Sequence, residues 1–147
     1  VHRSELDIAE KLLKEIVNKL KLLDKEKNYD TDIANVAFQE YVEAIAFFEF
    51  IKNNKIPSYK QLKVSVEQYL SGLADLTGEL GRKAVHDTIK GNNNSVLKIK
   101  EAVEDIYGEF LKFDLRNGEL RKKYDAIKWN LSKLEDLALS LKLSNRL

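Results

Sequence analysis

Apolar residues recur along this chain at steps of three and four positions, which is the period of one face of an α-helix. In the first such segment they are Leu6, Ala9, Leu13, Ile16, Leu20 and Leu23. A polar break at residues 25–29 separates this segment from a second one, which begins near Asp30 or Thr31 and extends to about Asn53. The pattern therefore predicts two helices in the first third of the chain.

Turn-forming residues divide the middle of the chain. The segment 53–58 contains the only proline, and Ser58 is suited to cap a short helix that ends near Val64. A long helical pattern follows from about Val66 to Lys90, and Gly91 with the three asparagines after it ends that pattern. We therefore expect one short helix and one long helix in this part of the chain.

Two further helical patterns complete the sequence. One begins at Ser95 and continues toward Phe113, and the other begins near Gly118 and extends to Leu141. No strand-like alternation of apolar and polar residues persists anywhere. Long amphipathic helices with short connections predict an all-α fold, an antiparallel bundle of about five long helices and one short helix. We expect residues 1–147 to form a single domain.

The composition narrows the possible function classes. The 25 basic and 24 acidic residues leave a formal net charge of +1, so a nucleic-acid partner does not follow from net charge. The absence of cysteine excludes disulfides, thiolate metal sites and cysteine nucleophiles. No apolar run approaches the roughly 20 residues needed to span a bilayer. These features fit a cytoplasmic protein.

Two glutamates of the second helix lie away from its polar side. A rotation of about 100° per residue places Glu40 in an apolar stripe, with Glu43 about 60° away. The stripe consists of Ile33, Val36, Ala37, Ala44, Phe47 and Ile51. The opposite side, which we expect to face solvent, carries Asn35, Gln39, Glu49 and Asn53. A charge within an apolar stripe costs several kcal/mol unless it is paired, protonated or bound to a metal, although solvated carboxylates are the alternative interpretation.

The long middle helix carries a second acidic pair, Asp75 and Glu79, about 40° apart on one face. Taken alone, this pair fits a solvated polar face. If the bundle brings it opposite Glu40 and Glu43, however, four converging carboxylates repel one another and require a cation. Oxygen ligands without histidine or cysteine favour Mg²⁺, or Mn²⁺, over zinc. Such an ion can activate water and neutralise charge on a phosphodiester.

Local basic groups are the candidates for contacts with nucleic-acid phosphates. They are Arg82, Lys83, Lys112, Arg116, Arg121, Lys122 and Lys123. Arg82 projects within about 20° of Asp75, so it either holds a phosphate or pairs with Asp75 or Glu79. For residues 121–123 the alternative is a solvated helix start or a salt bridge between subunits.

A histidine and several aromatic residues permit two interpretations each. His86 shares the face of Asp75 and Glu79; we interpret it as structural or solvent-facing, with a contact to the acidic cluster as the alternative. The aromatic side chains could stack nucleobases, but at helical spacing they fit core or interface positions better. They are Tyr41, Phe47, Phe48, Phe50 and Trp129.

Three stretches of the chain resemble the translin family. QEYVEAIAFFEFIK at residues 39–52 and YLSGLADLTGEL at residues 69–80 resemble translin-associated factor X, the catalytic type of subunit in that family. LRKKYDAIKWNLSKLEDLALSL at residues 120–141 is similar to the last helix of translin. The opening residues resemble the end of the family's long first helix, which we expect to be missing here. The mixed likeness fits an archaeal-like, single-gene member that assembles with itself.

The resemblance implies a helical bundle, closed shells of the octamer type, and binding of single-stranded RNA or DNA. It also implies that Glu40, Glu43, Asp75 and Glu79 hold the metal and act in catalysis, because the catalytic subunits carry acids at these positions. The chain is therefore predicted to be an Mg²⁺-dependent endoribonuclease that cleaves single-stranded RNA. The alternatives are a non-catalytic scaffold that binds single-stranded nucleic acid and a purely structural helical subunit.

Overall fold

The computed structural model describes residues 5–23, 31–113, 115 and 118–147. Over these residues it contains helices and no strand. The helices are α1 (Leu6–Leu23), α2 (Thr31–Asn53), α3 (Tyr59–Leu62), α4 (Val66–Ile89), α5 (Asn94–Phe110) and α6 (Glu119–Leu143). The prediction of an all-α fold with five long helices and one short helix is confirmed.

The helices form two compact units, Val1–Leu76 and Thr77–Leu147. Helix α4 contributes its first half to the first unit and its second half to the second. That residues 1–147 act as a single domain stays a prediction.

In the first unit, α1 and α2 pack in opposite directions. Ala9 and Leu13 of α1 join Phe48 of α2 in one apolar cluster. Further along α1, Leu20 meets Tyr41 at an earlier position on α2. Since residue numbers rise along α1 as they fall along α2, the pair is antiparallel, as the short connection predicts.

The short helix α3 begins with the cap that the sequence predicts. The Ser58 hydroxyl accepts a hydrogen bond from the Gln61 backbone nitrogen at 3.4 Å, and the Ser58 nitrogen donates to the Gln61 side chain at 2.8 Å. This reciprocal arrangement satisfies two backbone donors at the helix start. The helix ends at Leu62 rather than near Val64, because Lys63 adopts a left-handed conformation with φ of 57°.

In the second unit, the apolar faces of α5 and α6 form the core. The buried residues are Val96, Ile99, Val103, Ile106, Phe110, Ile127, Leu134 and Leu141. Tyr107 of α5 stacks on Tyr124 of α6, with 5.3 Å between ring centroids. At the opposite end, the Asn93 side chain donates to the Arg146 carbonyl at 3.0 Å. These contacts define a second antiparallel pair.

The structure also separates the aromatic residues that the sequence grouped together. The four on α2 are buried in the first unit, so their interpretation as core residues is confirmed; they are Tyr41, Phe47, Phe48 and Phe50. Trp129 of α6 is instead 64% exposed. Among the helices of the described ranges, none has the length and apolar character needed to cross a membrane.

Candidate functional site

Helices α2 and α4 approach each other closely at Gly72. A β-carbon added at Gly72 would lie 2.6 Å from the Val42 Cβ and 2.7 Å from the Gln39 carbonyl oxygen. One turn earlier on each helix, the Gln68 amide donates to the Asn35 side-chain oxygen at 2.8 Å. Because these contacts advance together along α2 and α4, the two helices run in the same direction here.

This close approach brings one member of each acidic pair to the same level. One helical turn beyond Gln39 on α2 lies Glu43, and one turn beyond Gly72 on α4 lies Asp75. Both residues are half-buried. The structure therefore gives Glu43 and Asp75 neighbouring levels on two helices that are already in contact.

Sequence reasoning missed Gly72, which determines how closely these helices approach. The available signal was a glycine inside a strong helical pattern, where it costs up to about 1 kcal/mol relative to alanine and commonly has a packing reason. The expected solvent face of α2 is confirmed at Asn35, which is exposed, but Gln39 is only half-exposed. Both residues contact α4. The Asn35 side chain accepts a hydrogen bond from Gln68, and the Gln39 backbone lies beside Gly72, which has no side chain to occupy that space.

Glu40 is not in a buried stripe, so that prediction is wrong. Its side chain is exposed, and its stripe neighbours Ile33 and Val36 are themselves 69% and 54% exposed. The buried face of α2 instead passes through Ala34, Tyr41, Val42, Ala46 and Phe48. Helix α2 is apolar on several sides, and contacts with α1 and α4 decide which side is covered.

Glu79 follows Asp75 by one turn on α4 and lies in the second unit. Its side chain is 18% exposed and forms an ion pair with Arg82, with 2.9 Å between Glu79 Oε1 and Arg82 Nη1. The sequence left open whether Arg82 holds a phosphate or pairs with an acid, and in the structure it pairs with Glu79. The Arg82 side chain is 75% exposed, so the guanidinium is also accessible from solvent.

The acidic residues fit a hard divalent cation in their chemistry but not in their present placement. Carboxylate oxygens are the ligands that Mg²⁺ and Mn²⁺ prefer. Among the residues that the structure describes, however, no three Asp, Glu or His side chains lie close enough together to hold one ion. Glu40 is exposed, and Glu79 is paired with Arg82.

The other predicted phosphate contacts have local partners. Lys83 is bound at 2.5 Å by both carboxylate oxygens of Asp87, which is itself buried, so Lys83 must break that pair to reach a phosphate. Lys122 pairs with Glu119 at 2.7 Å, and Arg121 lies over the Tyr124 ring at 5.2 Å. Arg116 lies outside the described residues.

The protein is all-helical over its described residues and carries acidic pairs on α2 and α4. Comparison with known proteins identifies the family to which such a chain belongs. The model of the translin family matches residues 2–145, so the chain belongs to the translin family. An uncharacterised protein of Methanocaldococcus jannaschii is 32% identical over 139 residues, which cover 90% of this chain and 63% of that protein. Translin-associated protein X of Pongo abelii is 30% identical, over 71% of this chain and 48% of its own length. The chain thus spans less than two thirds of these curated relatives.

Two solved structures share the fold. Apo-NeC3PO superposes with a TM-score of 0.85 at 34% identity, over 94% of this chain and 76% of that one. AfC3PO, in a structure described as a complex with duplex RNA, gives a TM-score of 0.79 at 29% identity, over 97% of this chain and 78% of that one. The resemblance seen in the sequence, to a family member of the translin-associated X or archaeal type, is confirmed.

Proposed function

We propose that this translin-family protein is an Mg²⁺-dependent endoribonuclease that cleaves single-stranded RNA. The observation that carries the proposal is the common level of Glu43 and Asp75, one turn beyond the contact of Gly72 with α2. Carboxylate oxygens are the ligands that Mg²⁺ prefers, and the match to the translin family extends over both helices.

In this proposal, Glu43 and Asp75 hold the ion, with Glu40 and Glu79 completing the oxygen ligands. When bound, Mg²⁺ or Mn²⁺ supplies water activation and neutralises charge on the phosphodiester. Glu40 is exposed and would have to turn toward the ion, and Glu79 would have to leave Arg82. The Arg82 guanidinium would then be a donor for a substrate phosphate.

The proposed substrate class rests on the relatives and on local charge. AfC3PO is described with duplex RNA, so RNA is the nucleic acid with direct precedent among similar folds. The basic groups that we propose for phosphate contacts are Arg82, Lys83, Arg121 and Lys122, with Arg116 added from the sequence, and Lys83 would first have to leave Asp87. Single strands are the proposed preference, and we further propose a homo-oligomeric shell like those implied by the family resemblance.

A second candidate function is a non-catalytic scaffold that binds RNA or DNA. It is favoured by the observation that no three acidic or histidine side chains within the described ranges are gathered for one ion. In this case the acids contribute only to packing and local ion pairs, such as that of Glu79 with Arg82.

The test is cleavage of labelled single-stranded RNA, beside the matched duplex, with Mg²⁺ and with excess chelator. We expect cleavage of the single strand in Mg²⁺ alone and its loss in Asp75→Asn, with helical content by circular dichroism unchanged. The matched control is Asp105→Asn, an exposed aspartate of α5, which should cleave as the wild type does. RNA binding without cleavage under any divalent ion would establish the scaffold instead.

A further inference from the structure

The second unit contains a groove between α4 and α6, and Arg82 is the one residue of its lining that the function proposed above uses. Its volume is about 500 Å³, which lies within the range of about 300–1,000 Å³ that is usual for ligand sites. Val85 and Ile89 of α4 form part of its lining and are 52% and 79% exposed. Leu137 of α6 lies opposite them. The lining is therefore largely apolar yet open to solvent.

The charged and titratable side chains at this groove are basic. Arg82 and His86 line it from α4, and Lys133 lines it from α6. Among the residues that the structure describes, no aspartate or glutamate lines the groove. Arg82, which is paired with Glu79, and Lys133 are the cationic groups of the lining, and His86 adds a ring N–H donor; local cations of this kind are the electrostatic feature expected of a nucleic-acid site.

One of the basic side chains of the groove, Lys133, lies over an exposed aromatic ring. The Lys133 ammonium is 4.9 Å from the centroid of the Trp129 ring, which is largely exposed. Single-stranded nucleic acids are commonly bound by a combination of cations that contact phosphates and apolar or aromatic surfaces that contact bases. Trp129, Lys133 and the exposed aliphatic floor supply both parts of that combination.

The groove also continues the acidic row of α4. Glu79, Arg82 and His86 are spaced at i, i+3 and i+7, so they follow one face of the helix. A nucleic-acid backbone held by Arg82 and His86 would extend along α4 to Glu79 within two turns. The groove is therefore adjacent to one of the proposed catalytic acids within the second unit.

We propose that this groove binds a nucleotide segment of single-stranded RNA, with phosphates on Arg82, His86 and Lys133 and bases on the floor at Val85 and Ile89. The inference rests on the proposed function, for which it supplies the substrate-binding surface. It assigns roles in RNA binding to His86, Lys133 and Trp129.

The test measures RNA affinity without cleavage. Fluorescence anisotropy of a short labelled oligouridylate is recorded in excess chelator for the wild type, Lys133→Gln, the His86→Gln/Lys133→Gln double variant and Val85→Glu. Lys98→Gln and Leu97→Glu on α5 are matched controls, because both residues are exposed and lie outside the groove. The molar mass of each variant is measured by light scattering under the same conditions.

We expect the double variant to raise the Kd about fivefold to tenfold. The slope of log affinity against log salt concentration should become shallower by about 0.7 for each phosphate that is no longer bound. Val85→Glu should raise the Kd at least about tenfold, since it adds a negative charge to the floor. Both control variants should remain within about twofold of the wild type.

Two outcomes would overturn the groove proposal. One is a Kd within about twofold of wild type for all groove variants. The other is a changed molar mass with unchanged RNA affinity, which would make the groove a contact between protein chains. Failure of the nuclease proposal is distinguishable, because it would leave the groove variants defective in binding while the wild type fails to cleave RNA in Mg²⁺.

Discussion

Gly72 on α4 and Val42 on α2 are in such close contact that a β-carbon at Gly72 would lie 2.6 Å from both the Cβ and Cγ1 atoms of Val42. Val42 is fully buried, and the nearby Gln39 oxygen belongs to the backbone, so neither neighbour can move away at little cost. This contact determines the distance between the two helices that carry Glu43 and Asp75.

Gly72→Ala should therefore destabilise the protein, even though alanine is the better helix former. Overpacking of this kind costs about 1–3 kcal/mol, which exceeds the gain of up to about 1 kcal/mol in helix propensity. Urea denaturation followed by circular dichroism measures the difference. Gly81→Ala is the matched control on the same helix, because a β-carbon there meets no atom of the described residues within 4 Å. We expect it to be neutral or stabilising; equal effects of the two substitutions would contradict the packing account.

An ion pair that connects α1 to α2 should make stability depend on pH in the acidic range. Hydrogen bonds from Lys52, at 2.7 Å, and from Lys14 lower the pKa of Glu10 from 4.5 to about 2. Because the pKa is lower in the folded state, the stabilisation is present above about pH 4.5 and is lost as the pH falls through about 2.

Glu10→Gln should accordingly lower the melting temperature near neutral pH and lose that difference between about pH 4.5 and 2. Thermal denaturation of both proteins across this range gives the comparison. Glu15→Gln, an exposed position on the same helix, serves as the control. A melting-temperature difference that is constant across the acidic range would rule out the Glu10 ion pair as its cause.

The stacked tyrosines of the second unit should titrate abnormally. The Tyr107 hydroxyl lies 3.0 Å from that of Tyr124, and this hydrogen bond, together with burial, raises the pKa of Tyr124 above its usual value of 10.0. Stability from this interaction is present below the unfolded pKa and is lost as the pH rises through the folded one. Tyr107→Phe should lower the pKa of Tyr124, as measured by NMR of tyrosine side-chain carbons. An unchanged pKa in the variant would mean that Tyr107 is not the cause.

The helices could be predicted from the sequence because their apolar residues keep a helical period over many turns. On α4 the same reasoning also found the core side, since Leu70, Leu73, Leu76 and Leu80 are all buried. One uninterrupted leucine stripe leaves little choice about which face is covered.

On α2 the same method could not identify the buried side. That helix carries apolar residues in several directions, and Ile33 and Val36 are exposed while Val42 is buried. The choice depends on α1 and on the space beside Gly72, which are tertiary features that a single helix does not encode. For this reason the sequence pattern placed Glu40 on the wrong side of α2. The matching levels of Glu43 and Asp75 follow from the contact between α2 and α4 at Gly72, which the pattern of a single helix does not include.

The most direct test of the account is Mn²⁺ binding, measured by electron paramagnetic resonance, because it separates the metal site from catalysis. We predict saturable binding by the wild type and a loss of at least about tenfold in affinity for both Glu43→Gln and Asp75→Asn. Glu49→Gln is the control on α2, since the Glu49 carboxylate accepts a hydrogen bond from Asn53 at 2.6 Å. If Glu43→Gln and Asp75→Asn bind Mn²⁺ as tightly as the control does, the two carboxylates do not share an ion, and the metal-dependent nuclease is contradicted.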